Sequence, residues 1–384
     1  VAALRRAIAL KPDLWVAYSN LGHTLRDLGR SADAIDCYKT VFRNGTVDIS
    51  VMSQILLSMH LFSGRDHGEL YDMHLALGEQ LVGRNRAGIA HRSDLVPREK
   101  IRLAYISPRF SREIVGYFFK PLFDHHDRTH FEIYLYNITP RTDELTAYFA
   151  ENADQWVEVG AMSDAQLCQR IVDDEIDILV DLAGHAPENR MTAIACKPAP
   201  VQVSMIDYFD TTGVETMDYY VTDHFSTPPD SQQRFVEDLI YLGQPRLVYE
   251  APDYAPEPGV RDPDKPIVFG SFNRHHKMVP QVIETWARLL LAVPESTLLL
   301  KGGAMSDADM QATYLARFAE HGIEAERLAF RGKSEHGDLF AEYADMDIAL
   351  DTFAEMGGLS TCEALGRGRR GLCLLGGRSL RRQR

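Results

Sequence analysis

A lysine, two glycines and a pair of hydroxyls stand where two strand-like segments end. In IVFGSFNRHHKMVP (267–280) an apolar run ends at Asn273, and Arg274-His275-His276-Lys277 precedes a helix expected to begin near Pro280. A lysine at the binding edge of a parallel sheet can neutralise a diphosphate leaving group; by position alone, Lys277 reads as a solvated loop cation. In DTFAEMGGLSTCEAL (351–365) a strand ends at Asp351, a Gly357-Gly358 turn follows, and Leu359–Leu365 reads as the start of a helix. The glycines let the backbone approach a ligand. Ser360 and Thr361 add hydroxyls where the unpaired N–H groups of a helix N-terminus point outward, a ready seat for phosphate oxygens. Glu363, read as lying in the first turn, offers acceptors to ribose hydroxyls. A carboxylate there also suits the helix dipole with no ligand at all.

These residues need a parallel sheet behind them, and the sequence supplies the pattern for two. IRLAYIS (101–107), FEIYLYNIT (131–139) and DILVDLAG (177–184) are short apolar runs separated by helix-length polar stretches, the alternation of strands with crossover helices. A Pro- and Asp-rich stretch, 251–266, reads as an interdomain linker. The alternation then restarts with IVFGSFN (267–273), STLLLKG (296–302), LAFRG (328–332), MDIALD (346–351) and GLCLLGG (371–377). The expected class is α/β, with two successive doubly wound, Rossmann-like units over 98–250 and 267–384. Ligands are expected at the carboxyl ends of the strands, in a cleft between the units.

The first 97 residues read as helices. In 13–45, Trp15, Leu21, Gly22, Leu25, Gly29, Ala34 and Tyr38 recur at the spacing of a tetratricopeptide helix hairpin, whose period is about 34 residues. The small Gly22 and Ala34 allow two helices to approach closely. Residues 1–46 are read as a repeat fragment and 47–97 as a helical connector. Stacked repeats need neighbours, so the chain, which opens inside a helical pattern, reads as a piece of a longer protein. A formal charge of −14 argues against a nucleic-acid partner and an anionic membrane surface. Cys37, Cys168, Cys196, Cys362 and Cys373 are scattered without a CxxC pair, which fits a reducing cytoplasm and gives no zinc or disulfide framework.

Taken in order, DLAGHAPENR (181–190), KPAPVQVSMIDYFDTTG (197–213), MDYYVTD (217–223), FGSFNRHHKMVP (269–280) and DTFAEMGGLSTCEAL resemble the catalytic region of bacterial O-GlcNAc-transferase-like, SPINDLY-type glycosyltransferases. The resemblance implies a GT-B arrangement preceded by a repeat arm. It also implies transfer of a sugar from a nucleotide donor (UDP-GlcNAc foremost, with UDP-glucose and GDP-fucose open) to protein Ser or Thr. Inversion by direct displacement and no metal or cofactor are implied with it, and the acceptor polypeptide would be gripped by the arm. By this resemblance Lys277 contacts the diphosphate, Leu359, Ser360 and Thr361 cradle phosphate, Glu363 binds ribose, and Asn273 belongs to the same donor site. His185 stands beside the sugar cleft, Pro198–Tyr208 lines that cleft, and His336 falls in a loop near the nucleobase.

The sequence departs from its relatives at several of these places. Glu113-Ile114 stands where they commonly carry His-Pro. Glu113 could act as a base if burial raised its pKa, or be an exposed loop residue. Phe209-Asp210 replaces Pro-Gly, and Ala354-Glu355-Met356 precedes the glycines in place of a commoner Pro-Tyr-Asn or Pro-Tyr-Ser. The arginine-rich end 366–384 has the texture of a truncation. Asp345-Met346-Asp347 forms a DxD at the entry to a strand and Asp307-Ala308-Asp309 suits a helix start, so both are read as structural. Two other readings remain open: a repeat scaffold whose transferase-like body has lost turnover, and a sugar-nucleotide epimerase.

Overall fold

Apolar residues at helical spacing build five helices at the start of the chain: α1 (Ala2–Leu10), α2 (Trp15–Asp27), α3 (Ser31–Arg43), α4 (Ile49–Met59) and α5 (His67–Asn85). In this computed structural model the described residues are 1–28, 30–44, 48–60, 62, 66–85, 97–257, 262, 264–352 and 357–372. Gly29, Ala354, Glu355, Met356, Cys373 and the remainder of the tail lie outside them. Leu21, Leu25, Ala34 and Tyr38 bury the facing sides of α2 and α3, and Gly22 lies against the Tyr38 ring. That is the packing expected of a repeat hairpin.

The chain divides into two compact units, Val1–Leu25 with Arg30–Val248, and Arg26–Gly29 with Tyr249–Arg384. In the first, strands β1 (Ile101–Ser107), β2 (Phe131–Asn137), β3 (Gln155–Glu158), β4 (Ile178–Asp181), β5 (Val201–Ser204), β6 (Tyr219–Asp223) and β7 (Asp238–Leu242) form one sheet. Its order is β3-β2-β1-β4-β5-β6-β7, and every pairing is parallel. The central strand β1 reads as a continuous apolar run because crossover helices cover both faces of such a sheet; its last five residues are buried. Those helices are α6 (Ile114–Asp124), α7 (Glu144–Asn152), α8 (Asp164–Asp173) and the short α9 (Met191–Ile194). Ser163 and Gln166 start α8 with a reciprocal capping box.

Helices α3 to α5 share one apolar core with this sheet: Leu77 and Leu81 of α5 cluster with Met191, Ile194 and Val214. The stretch read as a connector is therefore packed into the first unit. The contact is backbone-close, since a Cβ on Gly78 of α5 would lie 1.7 Å from the carbonyl oxygen of Gly213, itself at φ +71°. Only glycine at both positions lets α5 lie on the loop after β5.

The second unit holds β8 (Val268–Ser271), α10 (Pro280–Ala292), β9 (Thr297–Lys301), α11 (Ala308–Ala319), β10 (Leu328–Arg331), α12 (His336–Glu342), β11 (Ile348–Leu350), α13 (Leu359–Gly366) and β12 (Arg370–Leu372). Its parallel sheet runs β10-β9-β8-β11-β12. Pro280 sits at the first position of α10, where its missing N–H costs nothing. One stripe of that helix, Val282, Ile283, Trp286, Ala287 and Leu290, is buried; each large side chain contributes about 1.5–3 kcal/mol. Described residues of the expected linker dock on this unit: the Tyr254 hydroxyl lies 2.6 Å from Nδ1 of His336. Among the described residues no helix is long and apolar enough to cross a membrane.

Candidate donor site at the switch point of the second sheet

In the second unit the chain leaves β8 for β9 and β10 on one side, then returns to lay β11 on the other. The carboxyl ends of β8 and β11 are therefore neighbours at the point where strand order reverses, which is where open α/β sheets bind ligands. The loop after β8 carries Asn273 and Lys277; the turn after β11 carries Gly357 to Thr361.

Asp351, buried at the end of β11, fixes that turn. Its Oδ1 accepts from the backbone N–H of Thr352 at 2.8 Å and of Gly357 at 2.6 Å. Helix α13 then starts with Gly358 as N-cap and no side-chain cap among the described residues, which leaves its first N–H groups to other partners. Ser360 Oγ donates to Asn273 Oδ1 at 3.3 Å, and Asn273 Nδ2 donates to Ser271 Oγ at 3.2 Å, so the two strand ends are tied across the switch point. Asn273, Ser360 and Thr361 line a narrow crevice together with Phe272, Tyr343 and Leu350. A Cβ on Gly357 would stand 2.6 Å from Thr361 Oγ1, 2.8 Å from Ser360 Oγ and 3.0 Å from Asn273 Oδ1. The glycine thus leaves those three oxygens room to gather.

Lys277 ends a 3-10 turn, His275–Lys277, held by Lys277 N–H to Arg274 O (3.0 Å) and by the Tyr314 hydroxyl to His275 O (3.1 Å). It is half-buried on the same sheet edge, outside the crevice wall. Burial pushes its neighbour His276 down to about 3, and the lysine charge adds to that shift. Leu359 opens α13, partly buried.

Two expectations need correction. Glu363 lies in the second turn of α13, since the helix begins at Leu359, and is only 2% exposed. Its Oε1 lies 2.7 Å from His336 Nε2 and its Oε2 accepts from Tyr343 Oη at 2.9 Å. His336 is the first residue of α12 rather than a loop residue, because Glu335 already has extended N-cap geometry. Tyr254, His336, Glu363 and Tyr343 form one chain of hydrogen bonds behind the crevice. Nothing in the sequence signalled Tyr254 or Tyr343.

The first-unit residues have other surroundings. His185 is fully buried, with Nδ1 3.1 Å from Ser53 Oγ and Nε2 2.7 Å from the Thr212 carbonyl. Burial pushes its pKa down to about 3, with His74 adding to the shift. It is a neutral strut between α4 and the loop after β5. Glu113 precedes α6 with its side chain 35% exposed and pairs with Arg109 (3.4 Å) and with Arg141. The burial that a catalytic reading of Glu113 calls for is absent. Arg109 also pairs with Asp207 at 3.0 Å. Asp181 ends β4 fully buried, accepting from Gly184 N–H at 2.6 Å, and burial raises it to about 6. Of the two acidic motifs, Asp307 caps α11 by accepting from Met310 N–H (2.9 Å), Asp345 pairs with Arg331, and Asp347 accepts from Val268 N–H (2.9 Å).

Two doubly wound parallel sheets in succession, with a crevice at the switch point of the second, are the architecture of GT-B glycosyltransferases. The chain belongs to glycosyl transferase family 41, whose model matches residues 74–251 and 259–368. It is 35% identical over 278 residues to the Arabidopsis thaliana SPINDLY protein, described as a probable UDP-N-acetylglucosamine–peptide N-acetylglucosaminyltransferase. That match covers 70% of this chain and 30% of the relative. The tomato (Solanum lycopersicum) SPINDLY protein is 31% identical over 319 residues, covering 81% of this chain and 34% of its own length. The chain thus spans about a third of these curated relatives. A solved structure of a mutant Thermobaculum terrenum O-GlcNAc transferase superposes with a TM-score of 0.87 at 32% identity, over 99% of this chain and 72% of that one.

Proposed function

We propose that this chain carries the donor-binding and transfer body of an enzyme that moves a sugar, GlcNAc in the first instance, from a nucleoside diphosphate donor to Ser or Thr hydroxyls of a polypeptide. The observation that carries the reading is the crevice where Asn273, Ser360 and Thr361 meet across the ends of β8 and β11. The diphosphate would sit over the N-terminus of α13, taking hydrogen bonds from its first N–H groups and the two hydroxyls, with Lys277 supplying positive charge. As the acceptor hydroxyl oxygen attacks the anomeric carbon from the opposite face, the C1–O bond to phosphate breaks, the hydroxyl proton passes to the departing diphosphate, and the configuration inverts. Charge growing on the leaving diphosphate is stabilised by preorganised donors rather than by a metal. The α2–α3 hairpin and its neighbours would hold the polypeptide, as curved repeat surfaces do.

The relatives' descriptions as probable UDP-N-acetylglucosamine–peptide N-acetylglucosaminyltransferases support UDP-GlcNAc as donor and peptide as acceptor. A second reading draws on Glu113: a carboxylate held by two guanidiniums replaces an expected histidine, which suits a scaffold that binds donor without turnover. Mass spectrometry separates the two. The purified chain is incubated with a Ser/Thr peptide and UDP-GlcNAc, UDP-glucose or GDP-fucose, with and without chelator. An N-acetylhexosamine, hexose or deoxyhexose mass added to peptide supports transfer from the matching donor, and NMR of the product anomeric proton reads inversion. Donor binding without transfer or hydrolysis of any donor supports the scaffold.

A further inference from the structure

Inside the first unit, apart from the donor crevice, His60, His74 and Asp210 each bring one ligand atom to within 4.8 Å of the others. His60 ends α4, His74 lies on α5, and Asp210 belongs to the loop between β5 and β6. All three are buried, His74 completely.

Each donor is aimed. His74 Nδ1 lies 2.7 Å from the Leu70 carbonyl oxygen, which places the proton on Nδ1 and turns the Nε2 lone pair inward. Ligating histidines are oriented in the same way. Asp210 accepts from Thr211 N–H through Oδ1 at 2.9 Å, while Oδ2 faces His60 Nε2 at 3.6 Å. That separation is long for a hydrogen bond, but two ligands each about 2.0–2.2 Å from a tetrahedral ion stand roughly 3.3–3.6 Å apart. The Tyr208 hydroxyl lies 2.7 Å from His74 Nε2 and 3.4 Å from His60 Nε2, so all of these polar atoms converge on one point. Phe209 packs edge-on against the His60 ring, with centroids 4.6 Å apart, and closes one side with apolar surface.

We propose that His60, His74 and Asp210 bind a divalent ion of the zinc class, with a water completing the four ligands and the Tyr208 hydroxyl turned from His74 Nε2 to that water. Two imidazoles and a carboxylate are donors zinc accepts readily. One dication balances the buried carboxylate, whose charge is costly to bury alone. The ion pins the end of α4 and the middle of α5 to the loop after β5, beside the Gly78–Gly213 contact. It fastens helices to sheet and takes no part in the proposed sugar transfer, so the two proposals stand or fall separately.

The test uses the whole chain, stripped with chelator and titrated with Zn²⁺ alone by calorimetry, and with Co²⁺ followed by visible absorption. The expected result is one ion per chain and the intense bands of four-coordinate Co²⁺. Asp210→Asn and His60→Gln are each expected to weaken Zn²⁺ binding at least about tenfold without change in circular dichroism. A wild-type chain that binds no Zn²⁺ and gives only the pale Co²⁺ spectrum of the hydrated ion overturns the proposal, whatever the variants do. Folded variants that bind as tightly as wild type overturn it as well.

Discussion

Gly357→Ala separates the geometry of the crevice from the stability of the unit that holds it. The new methyl would lie 2.6 Å from Thr361 Oγ1, 2.8 Å from Ser360 Oγ and 3.0 Å from Asn273 Oδ1. All three are tips of side chains that can rotate, so the fold accommodates the methyl by turning hydroxyls aside, at about 1 kcal/mol, the low end of the usual overpacking cost. Turning them aside removes at least one hydrogen bond to a charged phosphate oxygen, worth about 1.5–3 kcal/mol. UDP affinity should then fall roughly ten- to hundredfold, since every 1.4 kcal/mol is tenfold. Calorimetric titration with UDP and urea unfolding of the same preparation measure both quantities. Unchanged UDP affinity in a folded variant, or a stability loss well beyond the binding loss, refutes the argument that the glycine serves the ligand.

Two further outcomes follow from the first unit. Glu113→Gln should keep transfer within about tenfold of wild type, because the carboxylate is partly exposed and paired with Arg109 and Arg141; loss of a working general base would cost about 10²–10⁴. Initial rates with saturating peptide decide between them. His185 stays neutral in the fold down to about pH 3, whereas the unfolded chain protonates it near 6.5. Between these values the unfolded chain holds the extra proton, so this residue's contribution to stability is present above about 6.5 and is lost as pH falls. Urea unfolding across pH 4–6 should show a slope flatter by about 1.4 kcal/mol per pH unit in His185→Gln than in wild type; equal slopes contradict the buried, neutral assignment.

The central strands were legible because parallel strands covered on both faces need unbroken apolar runs: IRLAYIS, FEIYLYN and TLLLK all became strands. The edge strands β3, QWVE, and β7, DLIYL, were not, since charged residues and partial exposure break the run. At the candidate site the two strand ends could be read, and with them Asn273 and the glycine turn. Side-chain direction could not. Glu363 points back to His336 and Tyr343, 27 and 20 residues away, and His185 is buried by Ser53, 132 residues away. Such partners are set by tertiary packing, which neither periodicity nor local motif encodes. The His60–His74–Asp210 cluster escaped for the same reason, although Asp210 had stood out as a replacement for glycine.

A pyrophosphate seated between the loop after β8 and the turn after β11 is the centre of the proposed transfer. UDP binding to Lys277→Ala, measured by calorimetry beside wild type with circular dichroism as the control for folding, tests it most directly. Loss of one charge-assisted contact predicts affinity reduced roughly ten- to hundredfold, with the fold intact. A folded variant that binds UDP as tightly as wild type contradicts it.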